Sequence, residues 1–173
     1  MQTMEIKVKK LHENAKMPYR AYESSAGFDL YATTIDYDNN GNVVYGTGLA
    51  FEIPKGHVGF LFPRSSNAKK DLLLSNSVGV IDSDYRGEVT FKFKSTINTV
   101  NPIKLLWCII KHKLFGSKNF SLKHFCIHRY EYSIGDRIGQ LIIMPYPSVE
   151  YIESETLNET RRGSGGYGSS GQR

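Results

Sequence analysis

Alternation of apolar and polar residues with a period of two, broken repeatedly by turn-forming clusters, is the feature that most limits how this chain can fold. Thr90-Phe91-Lys92-Phe93-Lys94 alternates without a break, Glu5 to Lys9 does so too, and Val58 to Phe62 is apolar and aromatic. Successive side chains of a strand point to opposite faces, so such runs bury one face and leave the other wet. Asn39-Asn40-Gly41-Asn42, Pro54-Lys55-Gly56 and Ser133-Ile134-Gly135-Asp136 supply turns between the runs. Many short strands closed in this way predict an all-β protein, a sandwich or jelly roll. One short helix is expected over Asn67 to Leu74, behind Ser66 as a capping candidate.

At 173 residues the chain suits one domain with a real core. Met1 to Lys10 has no continuous apolar run of the secretory kind, and Leu105 to Ile110 is far shorter than the roughly 20 residues a membrane helix needs. A soluble, cytoplasmic protein is expected. The two cysteines, Cys108 and Cys126, read as reduced thiols. The net charge of +5 is local, because Lys104, Lys111, Lys113, Lys118, Lys123 and Arg129 fall between Val100 and Tyr130 with no Asp or Glu among them. The remainder is close to neutral, and no nucleic-acid partner is expected.

The segment from Gly79 to Gly87 packs Asp82, Asp84, Tyr85 and Arg86 into one hairpin-sized stretch. Asp82 has the chemistry to deprotonate a water, Tyr85 can lay a flat face on a sugar, and the flanking glycines permit close backbone approach. Read alone, such a segment is also an ordinary Asp-rich turn. Four others accompany it in order: Ala26-Gly27-Phe28-Asp29-Leu30-Tyr31-Ala32, Pro63-Arg64-Ser65-Ser66, Gly135 to Leu141, and the Gly/Ser-rich stretch from Arg162 to Gly171. Five ordered motifs are far more specific than any one of them.

Together they resemble the trimeric all-β deoxyuridine triphosphatase (dUTPase) family. The resemblance implies a distorted jelly-roll β domain over residues 1–161, with residues 162–173 as a flexible C-terminal arm that closes the active site. It implies hydrolysis of dUTP to dUMP and pyrophosphate by water attack on the α-phosphorus, removing dUTP and supplying dUMP for thymidylate synthesis. Asp82 matches the general base and Tyr85 the residue that excludes a ribose 2′-hydroxyl. Asn76 and the backbone of Gly79, Val80, Ile81 and Asp82 are expected to read uracil, with Thr90 as a weaker pocket residue. Arg64, Ser65 and Ser66 match the phosphate-gripping motif, and Gln140 a phosphate-side or water-positioning residue. Asp29 matches the aspartate that holds Mg²⁺ through a water, the ion resting mainly on substrate phosphates. Arg162, Ser169 and Ser170 would reach the γ-phosphate, and Tyr167 would stack on the base. A homotrimer with shared sites is implied.

Asp84 and Arg86 read as an ion pair fixing the hairpin or a subunit contact, Asp136 and Arg137 as a turn and its anchor, and Phe28 and Tyr31 as core or interface. The chain departs from the family at Tyr167, where Phe is usual, and by an insertion at about 97–127. That insertion reads as a hairpin or helix-bearing excursion, next as a membrane-surface or partner-binding element. Its Cys108, His112, His124, Cys126 and His128 do not match a common zinc spacing. Two other functions stay open: a dCTP deaminase-like enzyme of the same fold, and a nucleotide-gated regulatory protein acting through the insert.

Overall fold

The computed structural model describes residues 3–70, 72–96 and 132–166. Ten strands succeed one another: β1 (Lys7–Lys10), β2 (Phe28–Tyr31), β3 (Thr34–Tyr37), β4 (Val43–Gly46), β5 (Leu49–Glu52), β6 (His57–Pro63), β7 (Leu72–Leu74), β8 (Gly79–Ile81), β9 (Thr90–Ser95) and β10 (Arg137–Pro145). A 3₁₀ helix at Ser65–Lys69 is the helical element among them. Two four-stranded sheets, ordered β2-β10-β6-β8 and β3-β4-β9-β7, form the body, and β1 pairs with β5 in a third. All the pairings are antiparallel.

The alternation in β9 is the simplest case of sequence setting packing. Phe91 and Phe93 are fully buried, while Thr90, Lys92 and Lys94 face out. Across β4 they meet Val43 and Tyr45, with Tyr45 edge-on to Phe93 at 5.9 Å between ring centroids. Leu30, Leu61, Ile81, Ile138 and Leu141 of the other sheet complete the same core. Each fully buried large side chain contributes about 1.5 to 3 kcal/mol relative to exposure. Gly139 is what lets β10 sit this close: a Cβ there would lie 2.0 Å from the Phe91 ring. Only glycine leaves room.

The expected turns fall where the strands need them. Asn39 to Asn42 joins β3 to β4, and Asp38 organises it, its carboxylate accepting the Asn40 and Asn42 backbone N–H groups and the Asn42 side-chain amide. These bonds, the Asn42 side chain first, and Lys92 at 3.0 Å hold the Asp38 carboxyl well below the usual carboxylate range. Asp136 closes the turn before β10 by accepting the Ser133 N–H at 2.8 Å.

The helix differs from the expectation. It spans Ser65–Lys69, its flanking residue Arg64 makes no side-chain cap bond, and Leu72–Leu74 are extended. The reason is Asn67: its buried side-chain N–H donates to the Leu72 carbonyl at 2.6 Å and turns the chain into β7. Leu72 and Leu74 then face the core and Leu73 faces out. The expected insertion at about 97–127, with Cys108 and Cys126, lies outside the described residues. No helix of the described residues is long and apolar enough to cross a membrane.

Candidate functional site

Two groups of the expected residues cluster, in two different places. The first is built on Asp29, in the middle of β2 and only 4% exposed. A lone carboxylate this deep would be costly, and three donors compensate it. Arg64 Nε reaches Oδ1 at 3.0 Å, Arg137 Nη1 reaches Oδ2 at 3.0 Å, and Gln140 Nε2 reaches Oδ1 at 3.2 Å. Two guanidiniums and one carboxylate leave a net positive charge. Arg64, with a quarter of its side chain exposed, and the exposed Ser65 and Ser66 beside it present donors outward. Such a cluster suits an anion.

Arg137 is the residue that sequence reading left as a turn anchor. On a regular strand, residues 137 and 140 would project to opposite faces. The register of β10 against β2 shifts between Arg137 and Gly139, and this bulge turns Arg137 to the same carboxylate as Gln140. Alternation carries no signal of a bulge. The Tyr19 ring lies 5.6 Å from the Arg137 guanidinium, and Tyr19 exchanges both backbone hydrogen bonds with Asp29. Phe28 is not core in this chain: it is 36% exposed and stacks under Arg20 at 5.2 Å. Tyr31 is partly buried beneath Lys16.

The second group lines a cavity of about 350 Å³ bounded by Leu61, Leu74, Ser75, Asn76, Gly79, Thr90 and Lys92. That volume falls at the small end of ligand sites. Its position follows from topology, since among the described residues β7 and β8 are edge strands of different sheets and the hairpin joining them crosses the gap. Edge strands keep unpaired backbone donors and acceptors, which is what reading a flat polar ring needs. Asn76, Gly79 and Thr90 were expected here. Leu61, Leu74, Ser75 and Lys92 were not: pairing with Gly79 brings in Leu61, and the Ser75 N–H donates to the Lys92 carbonyl.

Beyond Gly79, Val80 points outward at 57% exposure and Ile81 points into the core. Next in the chain, Asp82 is exposed, and its carboxylate makes no hydrogen bond or salt bridge with the described residues. Its backbone carbonyl accepts the Tyr85 N–H and closes a turn. The Tyr85 hydroxyl donates to the Glu88 carbonyl at 3.0 Å, and the ring lies over Gly87, where a Cβ would meet Oη at 2.4 Å. Glycine at 87 therefore permits the ring's position. Arg86 does not pair with Asp84 as expected: its Nη1 donates to the carbonyls of Ser83 and Tyr85, which the turn aims at it.

Strand register separates Asp82 from the first group. Leu61 pairs with Gly79 and Gly59 with Ile81, so Asp82 lies level with Val58, whereas Arg64 follows Pro63 at the other end of β6. Six residues of strand span about 20 Å. One chain does not bring Asp82 to Arg64. Arg162 lies farther along an exposed stretch, where its Nε donates to the Gly165 carbonyl at 2.9 Å. Tyr167, Ser169 and Ser170 lie outside the described residues.

The described residues hold no group of three or more His, Cys, Asp or Glu able to bind a metal. Asp29 already accepts three hydrogen bonds, and its surroundings are net positive. These residues do not by themselves make a cation site; a divalent cation here would need anionic ligand oxygens and its own waters for most of its coordination, and Asp29 would meet it only through a water.

Fold and site together define an all-β protein with a net positive cluster around Asp29 and a cavity of about 350 Å³. A family model described as dUTPase matches residues 13–106 and 95–171. The deoxyuridine 5′-triphosphate nucleotidohydrolase of Corynebacterium glutamicum is 34% identical over 169 residues, 96% of this chain and 95% of its own. Among solved structures, the dUTPase of Staphylococcus bacteriophage 80alpha with dUPNHPP matches with a TM-score of 0.71 and 29% identity, covering 98% of this chain and 99% of its own. The dUTPase of S. aureus phage phi11, described with a structural Mg(II) ion, matches with a TM-score of 0.62 and 25% identity, covering 90% and 100%. The chain belongs to the dUTPase family.

Proposed function

We propose that this protein hydrolyses dUTP to dUMP and pyrophosphate, with Asp82 of one copy activating water at the α-phosphorus of a triphosphate held by Arg64, Ser65, Ser66 and Gln140 of another. The observation that carries this reading is the contrast between the two carboxylates. Asp29 is buried and accepts three hydrogen bonds, whereas Asp82 is exposed and its carboxylate bonds to none of the described residues. Of the two, the second is the one placed to meet a water.

The separation of about 20 Å along β6 supports an assembly. General-base catalysis needs hydrogen-bond reach, so the Asp82 hairpin must meet the Arg64 turn of a neighbouring chain. Leu73, Val80 and Tyr85 carry apolar surface outward on that hairpin, as a contact with another copy requires. A homotrimer is the arrangement the family resemblance favours. Arg162, Tyr167, Ser169 and Ser170 would then close the site from the arm.

Within it, the Asn76 side chain and the free backbone edge around Gly79, Val80 and Ile81 read uracil, and Thr90 borders the base. Cytosine exchanges a donor for an acceptor and leaves buried polar groups unpaired. The Tyr85 ring, fixed by Glu88 and Gly87, walls off the sugar where a 2′-hydroxyl would lie. Asp29 would hold Mg²⁺ through a water, and the ion, when bound with the triphosphate, would neutralise part of its charge. Arg64 and Gln140 orient the phosphate oxygens.

Pyrophosphate release from dUTP, UTP, dTTP and dCTP tests the proposal. We expect dUTP-selective turnover. A chain truncated before Arg162 should lose about 5- to 150-fold in kcat/KM, since base-aromatic stacking contributes about 1 to 3 kcal/mol. Equal turnover of UTP, or ammonia released from dCTP without pyrophosphate, would contradict it.

A further inference from the structure

The turn that carries Arg64, Ser65 and Ser66 cannot hold its own shape. It is a five-residue 3₁₀ helix without a side-chain cap, and such turns have poor internal hydrogen-bond geometry. Its rigidity comes from one buried side chain. Asn67 is 7% exposed, donates to the Leu72 carbonyl, and accepts at Oδ1 from the Tyr132 hydroxyl at 3.2 Å. Tyr132 is anchored in turn: it is 3% exposed, its backbone N–H donates to Tyr45 Oη at 2.9 Å, and Lys70 Nζ lies 4.3 Å over its ring. Tyr45 and Phe93 pack on the same ring, each at 5.8 Å.

We propose that Tyr132 is a positioning residue for the triphosphate: through Asn67, its hydroxyl locks the turn so that Arg64, Ser65 and Ser66 face the phosphates together. This rests on the dUTP reading above. Burial pushes the Tyr132 hydroxyl above its ordinary titration range and the Asp136 charge adds to this, whereas the nearby Ser66 side chain and the Arg64 charge pull it back. Those two opposing influences come from the phosphate turn itself, so the hydroxyl sits among the groups it organises. It stays protonated, and a donor, at neutral pH. Tyr132 also begins the stretch leading into β10, which brings Arg137 and Gln140 to Asp29. One residue thereby ties both phosphate-side elements to the core.

Full-length Tyr132→Phe and Asn67→Leu proteins, titrated with the imido analogue dUpNHpp and with dUMP, test this. We expect dUpNHpp affinity to fall about 3- to 10-fold, as for one lost hydrogen bond, and dUMP affinity to hold within about twofold. KM for dUTP should rise in step, with kcat within about twofold of wild type. The double variant Asn67→Leu/Tyr132→Phe removes both groups of the Tyr132–Asn67 bond and leaves the Leu72 carbonyl without its donor, so it should be at least as stable to heat as Asn67→Leu alone, without regaining dUpNHpp affinity. A general packing role would instead weaken both ligands equally, or let affinity follow stability in the double variant. Either result, or unchanged dUpNHpp binding in the single variants, overturns the proposal. If wild type itself binds dUpNHpp no better than dUMP, the dUTP reading fails as well.

Discussion

Asp82→Asn is expected to lower kcat for dUTP by about 10² to 10⁴-fold, the usual worth of a positioned base, with KM little changed. Asn keeps the shape and removes only the ability to accept a proton. Because Asp82 is exposed and bonded through its backbone alone among the described residues, thermal stability should stay within about 0.5 kcal/mol of wild type. Steady-state kinetics beside a melting curve check both halves. Full turnover in the variant would remove Asp82 from the chemistry.

The opposite pattern is expected of Asp29→Asn. Its side chain is 6% exposed and compensates two guanidiniums, so neutralising it leaves Arg64 and Arg137 in mutual repulsion beside an amide. Losing one partner of a fully buried pair costs about 3 to 5 kcal/mol. The side chains of Arg64 and Arg137 are 25% and 38% exposed, which screens the repulsion and brings the expected loss to about 2 to 3 kcal/mol. Chemical denaturation measures it. Turnover should fall too, because the amide replaces one acceptor oxygen by an NH₂ donor, so that either Arg137, or Arg64 and Gln140 together, lose the acceptor that aims them. If Asp29 acted on Mg²⁺ through a water and did nothing else, stability would be unchanged and only the Mg²⁺ dependence would move.

Much of the fold could be read from the residues. Alternation located β9 and most of β1, the apolar and aromatic run from Val58 to Phe62 located most of β6, and the Asn39–Asn42, Pro54–Gly56 and Ser133–Asp136 turns lie between strands as their composition required. The helix was misjudged because Asn67 looks like a surface residue in sequence and is a buried bracket in space. Leu72 to Leu74, helix-tolerant by composition, became a strand once β9 offered a partner. The motif segments marked Asp29, Arg64, Asp82 and Gln140 through family resemblance. Spacing could not say that Asp29 and Arg64 meet while Asp82 stands apart, since that depends on the register of β6 between β8 and β10. Arg137 was hidden by a bulge and Tyr132 by a partner 65 residues away. Neither leaves a local trace.

The central claim is that Asp82 and Arg64 work together only across a boundary between copies. Two individually inactive proteins, Asp82→Asn and Arg64→Gln, can be unfolded together, refolded as a mixture and assayed for dUTP turnover. If each site draws the two residues from different chains, an equal mixture has both native residues in about one quarter of its sites, and activity should rise to that fraction of wild type. If both residues serve one site from the same chain, no mixed assembly contains an intact site, and activity would stay at the level of the separate variants.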